Sequence, residues 1–252
     1  MRKVCLFFIF SFIHAQWSTE SAYLIDNNRK ELGLFTPFKM RINNGSEIGI
    51  HKFLLMPSAS LKQEMPMYNT WKMARKFRIE YPTPGLKWIQ SPLGKEMGEP
   101  NMFSLISSQF EIPHMLSFYA QMIGTKGTVK SGQLSLRAGA GFALNGKDLS
   151  DDATIDLPII YPRLSVYYND FIIESGGEYF RQFTDRLYYL IDYDMYFMPG
   201  GAGRYAFEQE TLLVWQKSNK LHLSFGYKLI VGEYPFGGQA HLIPTINLKL
   251  GF

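Results

Sequence analysis

Residues 241–252 read His-Leu-Ile-Pro-Thr-Ile-Asn-Leu-Lys-Leu-Gly-Phe. Every second residue is apolar: Leu242, Pro244, Ile246, Leu248, Leu250 and Phe252. From Thr245 onward the intervening residues, Thr245, Asn247, Lys249 and Gly251, are polar or small. A strict period of two demands an extended strand with one apolar and one polar face. A helix of the same sequence would scatter the apolar set around its whole circumference. The chain stops on an aromatic residue of the apolar face.

The same alternation recurs upstream. It is clear in residues 221–231, 205–215, 187–197 and 132–144, and in 160–168, where Leu164 and Val166 alternate with Arg163 and Ser165. Weaker runs cover 31–40, 47–54, 58–65, 76–81, 114–122 and 171–179. The last is interrupted by Ser175-Gly176-Gly177, and a glycine pair within a strand marks a bulge or a close approach. Clusters of Gly, Pro, Asn and Ser separate the runs, as at Asn43–Ser46, Pro199–Gly203 and Pro235–Gly238. Hydrophobic periodicity therefore predicts twelve strands, and the weaker runs also allow ten or fourteen.

The amino terminus opens with Met1-Arg2-Lys3, followed by residues 4–13, apolar but for Ser11, and then Ala15. This reads as a secretory signal peptide over residues 1–15, since the run is too short to span a bilayer as a helix. Cys5, the only cysteine, leaves with it, so the remaining chain has no disulfide and no cysteine metal site. Loss of Arg2 and Lys3 brings the net charge to about +2, too small to suggest a nucleic-acid surface. Aromatic residues make up 15% and charged residues 19%, the latter lean against the ~25% usual in soluble domains. A secreted soluble β-sandwich would also alternate, but it has no use for outward faces this continuously apolar.

The leader, the repeated strands and the last strand ending in Phe252 resemble Gram-negative outer-membrane β-barrel proteins. The resemblance implies an all-β fold, a transmembrane antiparallel up-and-down barrel forming a single domain over residues 16–252. It places the protein in the cell outer membrane, among lipid and lipopolysaccharide. It makes Phe252, with Leu250 and Leu248, the signal read by the barrel-assembly machinery. The wall itself is expected from about Ala22. An even strand number puts both termini on the periplasmic side.

Removing the lipid-facing residues leaves a charged inward set. The acids are Glu174, Glu178, Asp192, Asp194, Glu208 and Glu210; the bases are Lys39, Arg78, Arg137, Arg163, Lys228 and Lys249, with Lys62 beside them. Ionisable groups at membrane depth must face water or one another. The acids fall on consecutive strands and the bases on either side, so two arrangements are open. Opposed walls held apart leave a water-filled pore for a small polar solute. Walls in contact pair their charges and close the lumen, leaving a structural or adhesion barrel.

An enzyme is the third reading. Outer-membrane phospholipase A and lipid A deacylases use an H-x-S pair, and His222-Leu223-Ser224 supplies one with both side chains on one face. Strand parity turns that pair toward the lumen, whereas cleavage of lipid needs it at the lipid surface. No phosphate loop, zinc motif, dinucleotide fingerprint or nucleic-acid signature occurs, and no cofactor or metal is expected.

Two stretches escape the alternation. Residues 82–113 hold five prolines, and counting strands back from the end puts them at the periplasmic side. Their apolar content, Leu86, Trp88, Ile89, Met102, Phe103, Leu105 and Ile106, suggests a plug or constriction with short helices at 86–89 and 102–106. Residues 145–158 carry Asp148, Asp151, Asp152 and Asp156, whose spacing misses the calcium-loop pattern and reads as a solvated loop.

Overall fold

The computed structural model describes residues 19–51, 56–90, 106, 109–154, 160–201, 203–218 and 220–252. The signal-peptide expectation therefore lies outside the described residues. Twelve strands, each antiparallel to its neighbours in chain order, close into a barrel when the first pairs with the last. They are β1 (Lys30–Gly33), β2 (Phe38–Asn43), β3 (Ser46–His51), β4 (Ser58–Tyr68), β5 (Trp71–Glu80), β6 (Ser117–Thr128), β7 (Gly132–Ala143), β8 (Phe171–Gln182), β9 (Leu187–Gly201), β10 (Gly203–Ser218), β11 (Leu221–Tyr234) and β12 (Gly237–Gly251). Closure leaves every strand a partner on both edges, the condition for crossing lipid with strands. Two short helices lie outside the wall, α1 (Thr83–Gln90) and α2 (Tyr161–Asn169).

The start of β1 and the end of β12 meet at one end of the barrel, the termini end, where Lys30 N–H donates to Phe252 O at 2.8 Å and Phe252 N–H donates to Lys30 O at 3.0 Å. That termini end carries only short connections, such as residues 44–45, 69–70 and 129–131. The connections from β5 to β6 and from β7 to β8 leave and return at the opposite, loop end. The wall is uneven in height. β1 pairs with β12 only from Glu31↔Gly251 to Gly33↔Lys249, whereas β11 pairs with β12 from Leu221↔Leu250 to Tyr234↔Gly237. Pro244 tolerates its place in β12 because alternate residues there aim their N–H away from β11, toward the side where β1 has already ended.

The outward face is apolar around the circumference. Phe77, Leu136, Ile173, Ile191, Phe225 and Ile246 are all exposed although nothing polar covers them. Aromatic pairs mark two heights: Phe118 and Phe142 stack at 5.4 Å near the loop end, and Tyr179 and Tyr189 meet at 5.7 Å near the termini end. An apolar band between aromatic girdles is the surface that a bilayer requires of a barrel.

The strand number agrees with the periodicity, but through two differences that cancel. Residues 31–40 form two strands, because Leu34 to Pro37 turn the chain between β1 and β2. Residues 160–168, expected as a strand, are helix α2. Pro162 sits in its first turn, and Asp170, at φ 62°, ends it in the left-handed region. Its four-residue alternation is too short to separate a strand from a buried helix. Reading α2 as a strand reverses the parity of everything before it, so the β5–β6 connection leaves and returns at the loop end and not with the termini. The wall begins at Lys30, later than Ala22; residues 19–25 lie inside the barrel and Asp26 to Asn28 are exposed at its termini end.

Candidate functional site: the lumen

The loop end of the lumen is packed with apolar side chains. Leu86 and Ile89 of α1, Ile106, and Leu164, Val166 and Tyr167 of α2 join inward residues such as Ile172 and Met198 in one buried cluster. Helix α2 leans on the tall side of the wall, from β7 to β11. Leu86 and Leu164 are fully buried, and each contributes ~1.5–3 kcal/mol by leaving water. The Tyr167 hydroxyl satisfies itself on Ser117 Oγ at 2.8 Å and Glu80 O at 3.4 Å. Of the apolar residues expected here, Trp88 is exposed instead, while Met102, Phe103 and Leu105 lie outside the described residues. The 86–89 helix is seen as part of α1. Asp151 and Asp152 begin a single exposed 3₁₀ turn, and no cluster of potential metal ligands occurs among the described residues.

Below the cap the lumen is ionic. Arg137 of β7 reaches across β8 to two carboxylates of β9: Nε donates to Asp194 Oδ1 at 2.9 Å and Nη2 to Asp192 Oδ1 at 2.6 Å. Gly176 makes this crossing feasible. A Cβ there would meet Arg137 Nε at 2.7 Å and Tyr193 O at 2.6 Å, besides Asp194 Oδ1. Its neighbour Gly177 leaves room on the other face for the Tyr193 ring. Glu208 of β10 takes Lys228 of β11 at 2.5 Å and Arg163 at 3.3 Å. Arg163 arrives from helix α2, not from a strand of the wall. Arg78 of β5 bridges Glu80 at 2.9 Å and Glu174 at 3.4 Å, and its guanidinium lies 4.1 Å from the Tyr119 ring centre. Glu210 and Lys249 also face inward; Lys249 stands opposite His222 in the β11–β12 register.

The lower lumen holds a piece of chain that is not wall. Residues 19–28 enter from the termini end, and side chains of the barrel grip them. Ala22 N–H donates to Thr125 Oγ1 at 2.8 Å, Ile25 N–H to Glu47 Oε2 at 2.7 Å and Glu20 N–H to Glu178 Oε2 at 3.1 Å. Lys62 Nζ donates to Tyr23 O at 2.7 Å and Ser21 O at 3.3 Å, and it also bridges Glu47 at 3.3 Å. Glu20 is held by Lys76 at 2.6 Å and Lys39 at 3.6 Å. Burial pushes its carboxyl up, but the Lys76 and Lys39 ammoniums outweigh that and hold it well below the usual carboxylate range. Ala22 packs on Ala74 and Ile123.

The expected charged residues thus face the lumen, but they do not form one negative and one positive wall. Glu31, Glu47 and Glu80 bring acids to the basic side, and Lys228 and Arg137 stand among the acids. Strand parity would have found Lys76 and Glu80, which share the Arg78 face of β5. Nothing local marks Glu20, because all its partners are distant in the chain. His222 and Ser224 are buried, 5% and 2% exposed, inside the barrel and away from lipid.

No family model and no curated protein matches the sequence. Solved structures are similar in part. The KdgM porin in complex with disordered oligogalacturonate is 10% identical, over 88% of this chain and 94% of that one, with a TM-score of 0.41. LpxR from Salmonella typhimurium is 8% identical, over 89% and 88%, with a TM-score of 0.45. The outer membrane channel DcaP of Acinetobacter baumannii is 8% identical, over 95% and 68%, with a TM-score of 0.37.

Proposed function

We propose that this chain is an outer-membrane barrel that passes small polar solutes through its lumen once the segment 19–28 withdraws. The observation that carries the reading is the segment's attachment. It joins no strand ladder and is gripped by side chains, through hydrogen bonds and ion pairs that water can replace. The inward charges of both signs would then line a wet path. Lipid and lipopolysaccharide are the partners that the apolar girdle would meet. Phe252, exposed at the closing seam, is the residue the assembly machinery would read, with Leu250 and Leu248 behind it. Phe252→Ala should lower the amount of heat-modifiable, membrane-inserted barrel while synthesis stays normal; an unchanged amount of folded barrel would count against that role.

Conductance of the purified protein in planar bilayers tests the channel. Wild type should open intermittently. Cation preference should fall in Asp192→Asn/Asp194→Asn and rise in Arg137→Gln/Arg163→Gln. A second reading, a structural barrel with a permanently closed lumen, is favoured by the apolar cap. It requires no current from any variant and loss of stability in both charge mutants. Lipid hydrolysis by His222 and Ser224 has no support in their position, since a lipid ester has no path to them from the bilayer.

A further inference from the structure

The grip on Glu20 has a cost that a mere plug does not explain. Lys62 of β4 and Lys76 of β5 are direct cross-strand partners, both inward, and Lys39 of β2 joins them around the same point. Like charges placed opposite one another on adjacent strands repel and destabilise the pair. They are tolerated where an anion sits among them. Here Lys62 has Glu47 of β3 at 3.3 Å, and the anion for Lys76 and Lys39 is a carboxylate brought in by a segment that does not belong to the wall. The rest of the set completes a recognition pattern. Lys62 donates to two oxygens beside that carboxylate, the carbonyls of Ser21 and Tyr23. Glu178 accepts from the N–H of Glu20. The wall therefore offers two ammoniums to one carboxylate, a third ammonium to neighbouring oxygens and one acceptor to a donor.

We propose that Lys39, Lys62, Lys76 and Glu178 form a binding site for a small carboxylate carrying hydroxyl groups, and that Glu20 occupies it as a tethered stand-in for that solute. The proposal rests on the channel reading, whose solute it names by class. A short tether holds Glu20 at an effective concentration on the order of millimolar. Free solute above that level displaces it, and the segment leaves. The same carboxylate site thus senses the solute and unblocks its path.

The test uses the full barrel with a nitroxide at Tyr23→Cys in a Cys5→Ser background, followed by electron spin resonance. Gluconate at about 50 mM, above the tether's effective concentration, is compared with sorbitol in sodium chloride of equal ionic strength. The two probes match in carbon number and differ at the carboxylate. Gluconate should convert the immobile spectrum into a mainly mobile one, and sorbitol should leave it unchanged. Lys39→Gln/Lys76→Gln should be mobile without solute and blind to gluconate. Lys39→Arg/Lys76→Arg, which keeps the charge and guards against a folding defect, should still respond. Equal spectra with gluconate and sorbitol in a barrel that shows heat-modifiable migration would overturn the site. A gluconate response without bilayer current would overturn the channel and keep the site; current without a gluconate response would do the reverse.

Discussion

The two ends of the lumen are filled by different physics. At the loop end, α1 and α2 bury Leu86, Leu164 and Tyr167 in a continuous apolar cluster. At the termini end, residues 19–28 are held by Lys39, Lys62, Lys76, Glu47 and Glu178, with apolar burial limited to Ile25 and to Ala22 beside Ala74 and Ile123. Apolar packing gives way only when the packed elements separate and expose their area to water. Ion pairs and single hydrogen bonds have a ready substitute in water and salt. The loop end is built to hold its shape and the termini end to let go.

That contrast can be broken by mutation. The largest loss of stability is expected in the ionic middle. Arg137→Leu strands Asp192 and Asp194 side by side, and removing one partner of a buried pair costs ~3–5 kcal/mol. Urea titration of the refolded barrel, followed by heat-modifiable migration, reads this directly. Leu164→Ala at the loop end should cost ~2–5 kcal/mol through the lost burial and the cavity left behind. In the same variant the nitroxide at Tyr23→Cys should remain immobile; a label freed by Leu164→Ala would show that the two ends are one unit. Gly176→Ala should cost less, ~1–3 kcal/mol, since the new Cβ pushes the Arg137 side chain off its carboxylates.

The smallest effect is on pH. Glu20 faces Lys39 on β2, Lys62 on β4, Lys76 on β5, Arg137 on β7 and Glu178 on β8. A carboxyl held low in the folded state contributes attachment that is complete above its ordinary value and is lost as pH falls through the lowered one. The label at residue 23 should therefore stay immobile from neutral pH down to the ordinary carboxylate range of about 4, and become mobile only below it. Release at about pH 6 would point to a histidine instead.

Much of this architecture was legible in the residues. β9 to β12 declare themselves because their outward faces alternate over the full height of the wall. The short strands were harder. The turn at Leu34 to Pro37 falls inside an alternating run, so β1 and β2 read as one strand. In α2 the tight alternation from Arg163 to Val166 mimics a strand, and only the fold tells which face each residue meets. The inward charges of the strands follow from parity, but Arg163 of α2 does not, and neither does the pairing, because Arg137 reaches Asp192 and Asp194 only across the gap left by Gly176. The segment 19–28 has no periodicity. Its place depends on contacts such as Glu20 to Glu178 that no local pattern records.

The central claim is that residues 19–28 block a path that is otherwise wet, and a reversible lock tests it most directly. Ala22 and Ala74 share one buried cluster with Ile123. In Ala22→Cys/Ala74→Cys, within the Cys5→Ser background, a short cleavable thiol cross-linker would pin the segment to β5. The account expects no current in planar bilayers from the cross-linked protein and the intermittent current of the wild type once the linker is cleaved. Equal current before and after cleavage, or none in either state, would contradict it.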